Sequence, residues 1–222
     1  ALKVLMEGNN YELTKKRFYY DLTVLGIGAV KTGFNTSEGV VIDYVDPADL
    51  VYSYTESPYF DDIYYVGEVK SIPINELVKQ FPHLTQEELE DIVKNKNYNK
   101  SNYNQSPSDR EQDNNTIQVL YFNYKTYMNE VYKVKETGSG ADKIIPKDDN
   151  FNPPENMEGG FAKLQRSIEC LYDGAMILGT SKMLKWEMAK NMMRPKSDFT
   201  KVKMNYAITA PRIYKGRIES LV

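Results

Sequence analysis

The sequence is nearly without the residues that do covalent and metal chemistry. Its 222 residues hold one cysteine, Cys170, and one histidine, His83. A lone cysteine excludes an internal disulfide and a thiolate metal cluster. Cys170 falls in a strand-like stretch, where a free thiol behaves as a small hydrophobe. A lone histidine excludes every multi-histidine metal site. His83 follows Pro82 in a turn and reads as a surface or capping residue. No serine stands in a nucleophile-elbow context, because Gly138-Ser139-Gly140 lies in a polar stretch without strand signals. Long hydrophobic runs are missing too. The longest, residues 22–30, includes two glycines and a threonine and falls far short of the ~20 residues of a membrane helix. The sequence carries no secretory-signal pattern and no lipidation motif. It begins with Ala1 rather than Met, so the chain is expected to follow processing or to lie within a longer protein.

Charge is present but unevenly placed. The net charge is −3. Residues 36–115 hold 16 acidic and 6 basic groups, whereas residues 160–222 hold 5 acidic and 12 basic groups. Such asymmetry speaks of partners and self-association rather than of fold. With 41% hydrophobic residues the chain reads as globular.

The expected fold class is α+β: an N-terminal helix, a mostly antiparallel sheet with hairpins, two short helices and long polar loops. Residues 1–26 read as helical, with Asn9 as cap, Glu12 three residues on, and Phe18, Leu22 and Leu25 along one face. Gly26, Gly28 and Gly33, with Lys31-Thr32, resemble a phosphate loop only in composition. They follow a helix and precede a strand, the reverse of what phosphate binding requires, so Gly26 and Gly28 read as helix termination. Residues 27–93 read as α+β. Strands at 29–34 and 40–45 flank a polar segment ending in Gly39, and Asp46-Pro47 stops the second strand. Further strands are expected at 50–54 and 63–68, then a helix at 75–80 that ends before Phe81-Pro82. Thr85 and Glu88 form a capping box that opens a helix to about residue 93. Residues 94–115 are low in complexity and read as a flexible loop. Residues 116–215 read as β-rich: a strand from 116 with a hairpin partner at 128–134, a polar stretch at 137–160, and Asp173-Gly174 as a two-residue hairpin turn. Residues 182–193 are open between helix and strand, 202–208 read as a strand, and 216–222 read as the opening of a truncated helix.

Four residue sets are candidates for function. Asp46, Asp61 and Asp62, with Asp43 and Asp49, could be drawn as a carboxylate metal site. Adjacent Asp61 and Asp62 would point to opposite faces of a strand, however, and Asp46 beside Pro47 suits a turn. The 18 tyrosines form two clusters, Tyr52, Tyr54, Tyr59, Tyr64 and Tyr65, and then Tyr121, Tyr124, Tyr127 and Tyr132. Tyrosine suits interfaces and sugar stacking, and it is also simply a good strand residue. Lys182, Lys185, Lys190, Arg194, Lys196, Lys201 and Lys203 form a basic surface that could face DNA or another subunit. Glu87, Glu88, Glu90 and Asp91 form an acidic surface on a helix that could meet the basic surface of another subunit. No catalytic, cofactor-binding or metal-binding residue is assigned.

Taken in order, several motifs resemble the portal proteins of tailed bacteriophages. They run from Phe18-Tyr19-Tyr20-Asp21-Leu22 into the Gly26-Ile27-Gly28 strand, then to Val41-Ile42-Asp43-Tyr44-Val45-Asp46-Pro47. The pair Asp61-Asp62 follows ahead of Ile63-Tyr64-Tyr65-Val66, then a helix ending in Phe81-Pro82, and later Gly174-Ala175-Met176-Ile177-Leu178. The stretches 94–115 and 137–160 depart from the pattern as insertions. The resemblance implies the wing region of a portal, in one domain spanning residues 1–222. It also implies a ring of twelve copies at a capsid vertex in the virion, assembled in the host cytoplasm. The implied partners are the major capsid protein, a packaging ATPase, a tail adaptor and the double-stranded DNA that passes through the ring. No enzyme activity, cofactor or membrane is implied. The Tyr-, Asn- and Lys-rich composition suits a low-GC phage of the crAss-like gut group. Two other classes stand beside this one: a secreted carbohydrate- or protein-binding module using the tyrosine clusters, and a carboxylate metal-dependent hydrolase.

Overall fold

The computed structural model describes residues 2–35, 39–96, 116–137, 140–152, 161–180 and 182–222. Among them the architecture is α+β, with four α-helices and mostly antiparallel sheet. Helices α1 (Leu2–Gly8) and α2 (Tyr11–Val24) open the chain. Asn9 is not the cap expected of it. Its carboxamide accepts from Ile42 N and donates to Val40 O, so it pairs with the backbone of the second strand and pins the helices there. Gly26 does end α2, at φ 80°, with its N–H turned back to Asp21 O.

Strands β1 (Gly28–Asn35) and β2 (Gly39–Val45) form the expected hairpin, and β9 (Tyr206–Thr209) pairs on the other side of β1. The larger sheet runs in the order β3 (Leu50–Tyr52), β4 (Tyr65–Pro73), β5 (Thr116–Glu136), β7 (Phe161–Ile177), β8 (Met183–Met188), with β6 (Asp142–Lys147) on the far end of β5. Helices α3 (Ile74–Gln80) and α4 (Gln86–Lys96) lie between β4 and β5 in sequence. The capping box holds: Glu88 Oε2 accepts from Thr85 N at 2.9 Å and Thr85 Oγ1 accepts from Glu88 N at 3.4 Å.

Four expectations are corrected. First, β5 does not fold back at 128–134 but runs 21 residues, and its turn-back partner is β6, inside the stretch read as a polar loop. β6 carries Pro146 and is an edge strand, where a missing N–H costs nothing. Second, Asp173-Gly174 is not a turn. β7 passes straight through it, placing Gly174 opposite Phe122. Glycine leaves room there for the Phe122 ring, which a Cβ would push aside. Third, residues 216–222 do not begin a helix. Lys215 and Gly216, at φ 48° and 74°, make a two-residue turn joining β10 (Ile213–Tyr214) to β11 (Arg217–Ile218). Two consecutive left-handed residues match the twist of a hairpin, not of a helix. Fourth, α4 extends through residues 94–96, and residues 97–115 lie outside the described residues.

The layers follow from side-chain direction. On β1, Ala29 and Lys31 face the larger sheet, whereas Gly28 faces α2, where the Phe18 ring lies over it. One core packs Ala29, Val45 and Ile208 of the small sheet against Val66, Phe60 and Ile63. A second packs Leu77, Phe81 and Ile92 of α3, α4 and their junction onto Ile117, Val119 and Ile177. A third packs Leu171 against Ala189 and Val202. The order through the stack is α2, small sheet, large sheet. The large sheet's far face points outward. At the joint between sheets, the buried Glu68 carboxylate takes Lys31 at 2.8 Å and Lys70 at 3.2 Å, and Tyr206 OH donates to it at 3.5 Å. Burial, with Glu68 beside it, pushes the Tyr121 phenol up to about 12.

Candidate functional site

Because side chains alternate along a strand, register decides what the outward face of the large sheet carries. One row across the strands reads Val51, Gly67, Phe122, Gly174, Trp186. The next reads Tyr65, Tyr124, Tyr172, Met188. The rings touch across strands. Trp186 stacks on Tyr172 with centroids 5.0 Å apart and planes 15° apart. It also reaches Phe122 at 5.9 Å and Tyr124 at 6.0 Å. Tyr64, just before β4, meets Tyr65 at 5.1 Å and Tyr124 at 6.1 Å and extends the band to the loop joining β3 and β4.

The two glycines in the first row make the band. Gly67 and Gly174 flank Phe122, and a Cβ at Gly67 would come within 2.7 Å of Phe122 Cβ. The Phe122 ring lies over Gly174 and so reaches toward Trp186 on the next strand. Trp186 stays 47% exposed and belongs to none of the buried cores. The result is an aromatic surface on a rigid sheet, a type of surface used for association.

The tyrosine clusters named from sequence divide between faces. Tyr124 lies in the band, whereas Tyr121 points inward and donates to Gln80 at 2.7 Å. Tyr52 packs on the first core, and Tyr54 covers the Lys215-Gly216 turn. The sequence alone does not mark Trp186, Phe122 and Tyr172 as one surface. Their signal is the i, i+2 spacing of Phe122 with Tyr124, of Tyr172 with Gly174 and of Trp186 with Met188, which becomes a surface only once the strands are in register.

The predicted basic surface is only partly free. Lys182 pairs with Glu88 at 2.5 Å, so the expected acidic and basic surfaces adjoin within one chain at that point. This contact, followed by the Thr85 N–H, holds the Glu88 carboxyl down to about 2. Lys185 pairs with Glu187 at 3.1 Å. Arg194 is a strut: it donates to Glu169 O at 2.8 Å and Phe199 O at 2.9 Å. Lys190, Lys196, Lys201 and Lys203 are exposed, as are Glu87, Glu90 and Asp91 on α4.

The aspartates serve loops. Asp46 accepts from Ala48 N at 2.9 Å and caps the short 3-10 turn Pro47–Asp49. Asp62 accepts from the Thr55 hydroxyl. A hydrogen bond from Ser57 lowers the Asp61 carboxyl. Among the described residues no three His, Cys, Asp or Glu side chains group as metal ligands, and no helix is long and apolar enough to cross a membrane. No protein-family model matches the chain, and no curated protein matches it in sequence.

Proposed function

We propose that this chain is a structural assembly subunit, the wing region of a tailed-phage portal ring seated at a capsid vertex of the virion. The observation that carries the proposal is the outward aromatic face of the large sheet. A sheet that covers one side with a helix-and-sheet layer and leaves Trp186, Phe122, Tyr124 and Tyr172 on the other has apolar area to bury against a partner. The motif order from Phe18 to Leu178 supplies the portal resemblance. The uneven charge fits subunits that meet through two different surfaces. In this role the chain catalyses nothing. It helps hold the ring that takes the packaging ATPase, passes double-stranded DNA and seats the tail adaptor, and the ring itself sits in the shell of major capsid protein.

Negative-stain electron microscopy of the protein from its complete gene tests the proposal. Closed rings are expected, and particles that stay monomeric would overturn it. A packaging ATPase gene and a capsid gene beside this reading frame are expected as well.

The exposed rings also favour a second reading, a carbohydrate-binding module. Sugar platforms present ring faces to the ligand, whereas Trp186 has one face covered by Tyr172. Retardation of the chain by immobilised glycans in affinity electrophoresis would support that reading over the first.

A further inference from the structure

The stack of layers ends in two apolar surfaces on opposite sides. One is the aromatic band. The other is the outer side of α2, whose inner side holds Thr14 and Asp21 buried against the small sheet. Leu13, Tyr20 and Val24 recur at i, i+7 and i+11, so they share the outer side, and they are 54%, 68% and 42% exposed. A helix stripe with Tyr20 at its centre and a flat aromatic sheet face are unlike surfaces that can pack on each other.

Their charges also match. Lys16 and Arg17 flank that stripe on α2, one on each side, with Arg17 over the Tyr44 ring at 5.5 Å, whereas Lys15 points away from it. The loop joining β3 to β4 carries Glu56, Asp61 and Asp62, all exposed, and it runs into Tyr64 at the edge of the aromatic band. A helix with cations beside its apolar stripe thus lies on one side of the molecule, and an aromatic sheet with acid at one edge lies on the other.

We infer that the occupant of the aromatic face is a second copy of this chain, docked through the outer side of α2. The contact is head-to-tail. Tyr20 and its neighbours on one copy cover Trp186 and Phe122 of the next, and Lys16 and Arg17 approach Asp61 and Asp62. Both surfaces of every copy are used once, so the arrangement repeats and closes into a ring when the rotation per step allows. The inference rests on the portal reading for that closure but not for the contact itself.

Two single-cysteine variants test it in the protein from the complete gene. Tyr20→Cys and Trp186→Cys both sit at exposed positions, and native Cys170 is buried. The inference expects a short bifunctional thiol reagent to link one variant to the other when they are mixed, with neither linking to itself. Self-linking of Trp186→Cys would mean a face-to-face pair and would overturn the inference. Rings without mixed links would also overturn it and leave the portal reading standing. Mixed links without rings would uphold the contact and sink the portal reading. A native protein that stays monomeric, with variants that do not link, overturns both.

A charge exchange checks the same contact without touching either ring. Lys16→Glu added to the Tyr20→Cys variant is expected to lower the yield of links to Trp186→Cys roughly tenfold, and Asp61→Lys added to the Trp186→Cys variant is expected to restore it. Circular dichroism of each variant confirms the fold. An Asp61→Lys partner that fails to restore the yield counts against the α2 docking.

Discussion

Glu68 is where a single side chain joins two sheets. Its carboxylate is buried, while Lys31 and Lys70 each keep part of their ammonium side chains in water. Removing one member of a buried ion pair leaves the other charge without its partner, and partial exposure of the lysines softens the loss. Glu68→Ala is expected to cost about 2 kcal/mol in urea denaturation, and Glu68→Gln less, because the amide oxygen still accepts from Lys31. Glu88 offers a pH-dependent test at the same scale. Its folded value of about 2 lies below the ordinary 4.5. The stabilisation it lends is therefore fully present above the ordinary value and lost as the pH falls through about 2. Lys182→Ala should move the carboxyl titration, followed by NMR, back up toward the ordinary range. An unmoved titration would show that Lys182 is not the cause.

Elements were legible where a local rule set them. The Thr85 and Glu88 capping box, the Asp46-Pro47 stop and the 29–45 hairpin need only neighbours in sequence, and all three appear. Misreadings fell where a distant residue decided. Asp173-Gly174 has turn chemistry, yet its glycine answers to Phe122, 52 residues earlier in the sequence, whose ring needs the space. Residues 216–222 read as a helix opening because the strands on either side of Lys215-Gly216 are two residues each, too short to show an alternation. The band itself was only half visible, since sequence shows which residues share a strand face but not which strands lie side by side. Its dependence on glycine is testable. Gly67→Ala pushes a methyl group toward Tyr121 O at 2.6 Å, on the backbone of the next strand, and should cost about 2–3 kcal/mol. Gly174→Ala meets only the outer end of the Phe122 ring, which can swing aside. It should cost less, about 1 kcal/mol, but it should alter the near-ultraviolet circular dichroism of Trp186. Equal costs at the two sites would contradict this account of the packing.

At the scale of the whole molecule, the charge asymmetry read from the sequence takes a different form. The basic 182–203 segment and the acidic α4 are not opposed faces, for Lys182 and Glu88 meet within the chain. The faces that lie opposite are the α2 stripe and the aromatic band, with the acid of the β3–β4 loop beside the band. The central claim is that copies of this chain stack through those faces into a ring. A cryo-electron microscopy reconstruction of the assembled protein from its complete gene tests that claim most directly. The account predicts a closed ring in which density for α2 of each copy lies over Trp186 and Phe122 of its neighbour. A ring whose Trp186 face is open to solvent, or a protein that yields only monomers, would contradict it.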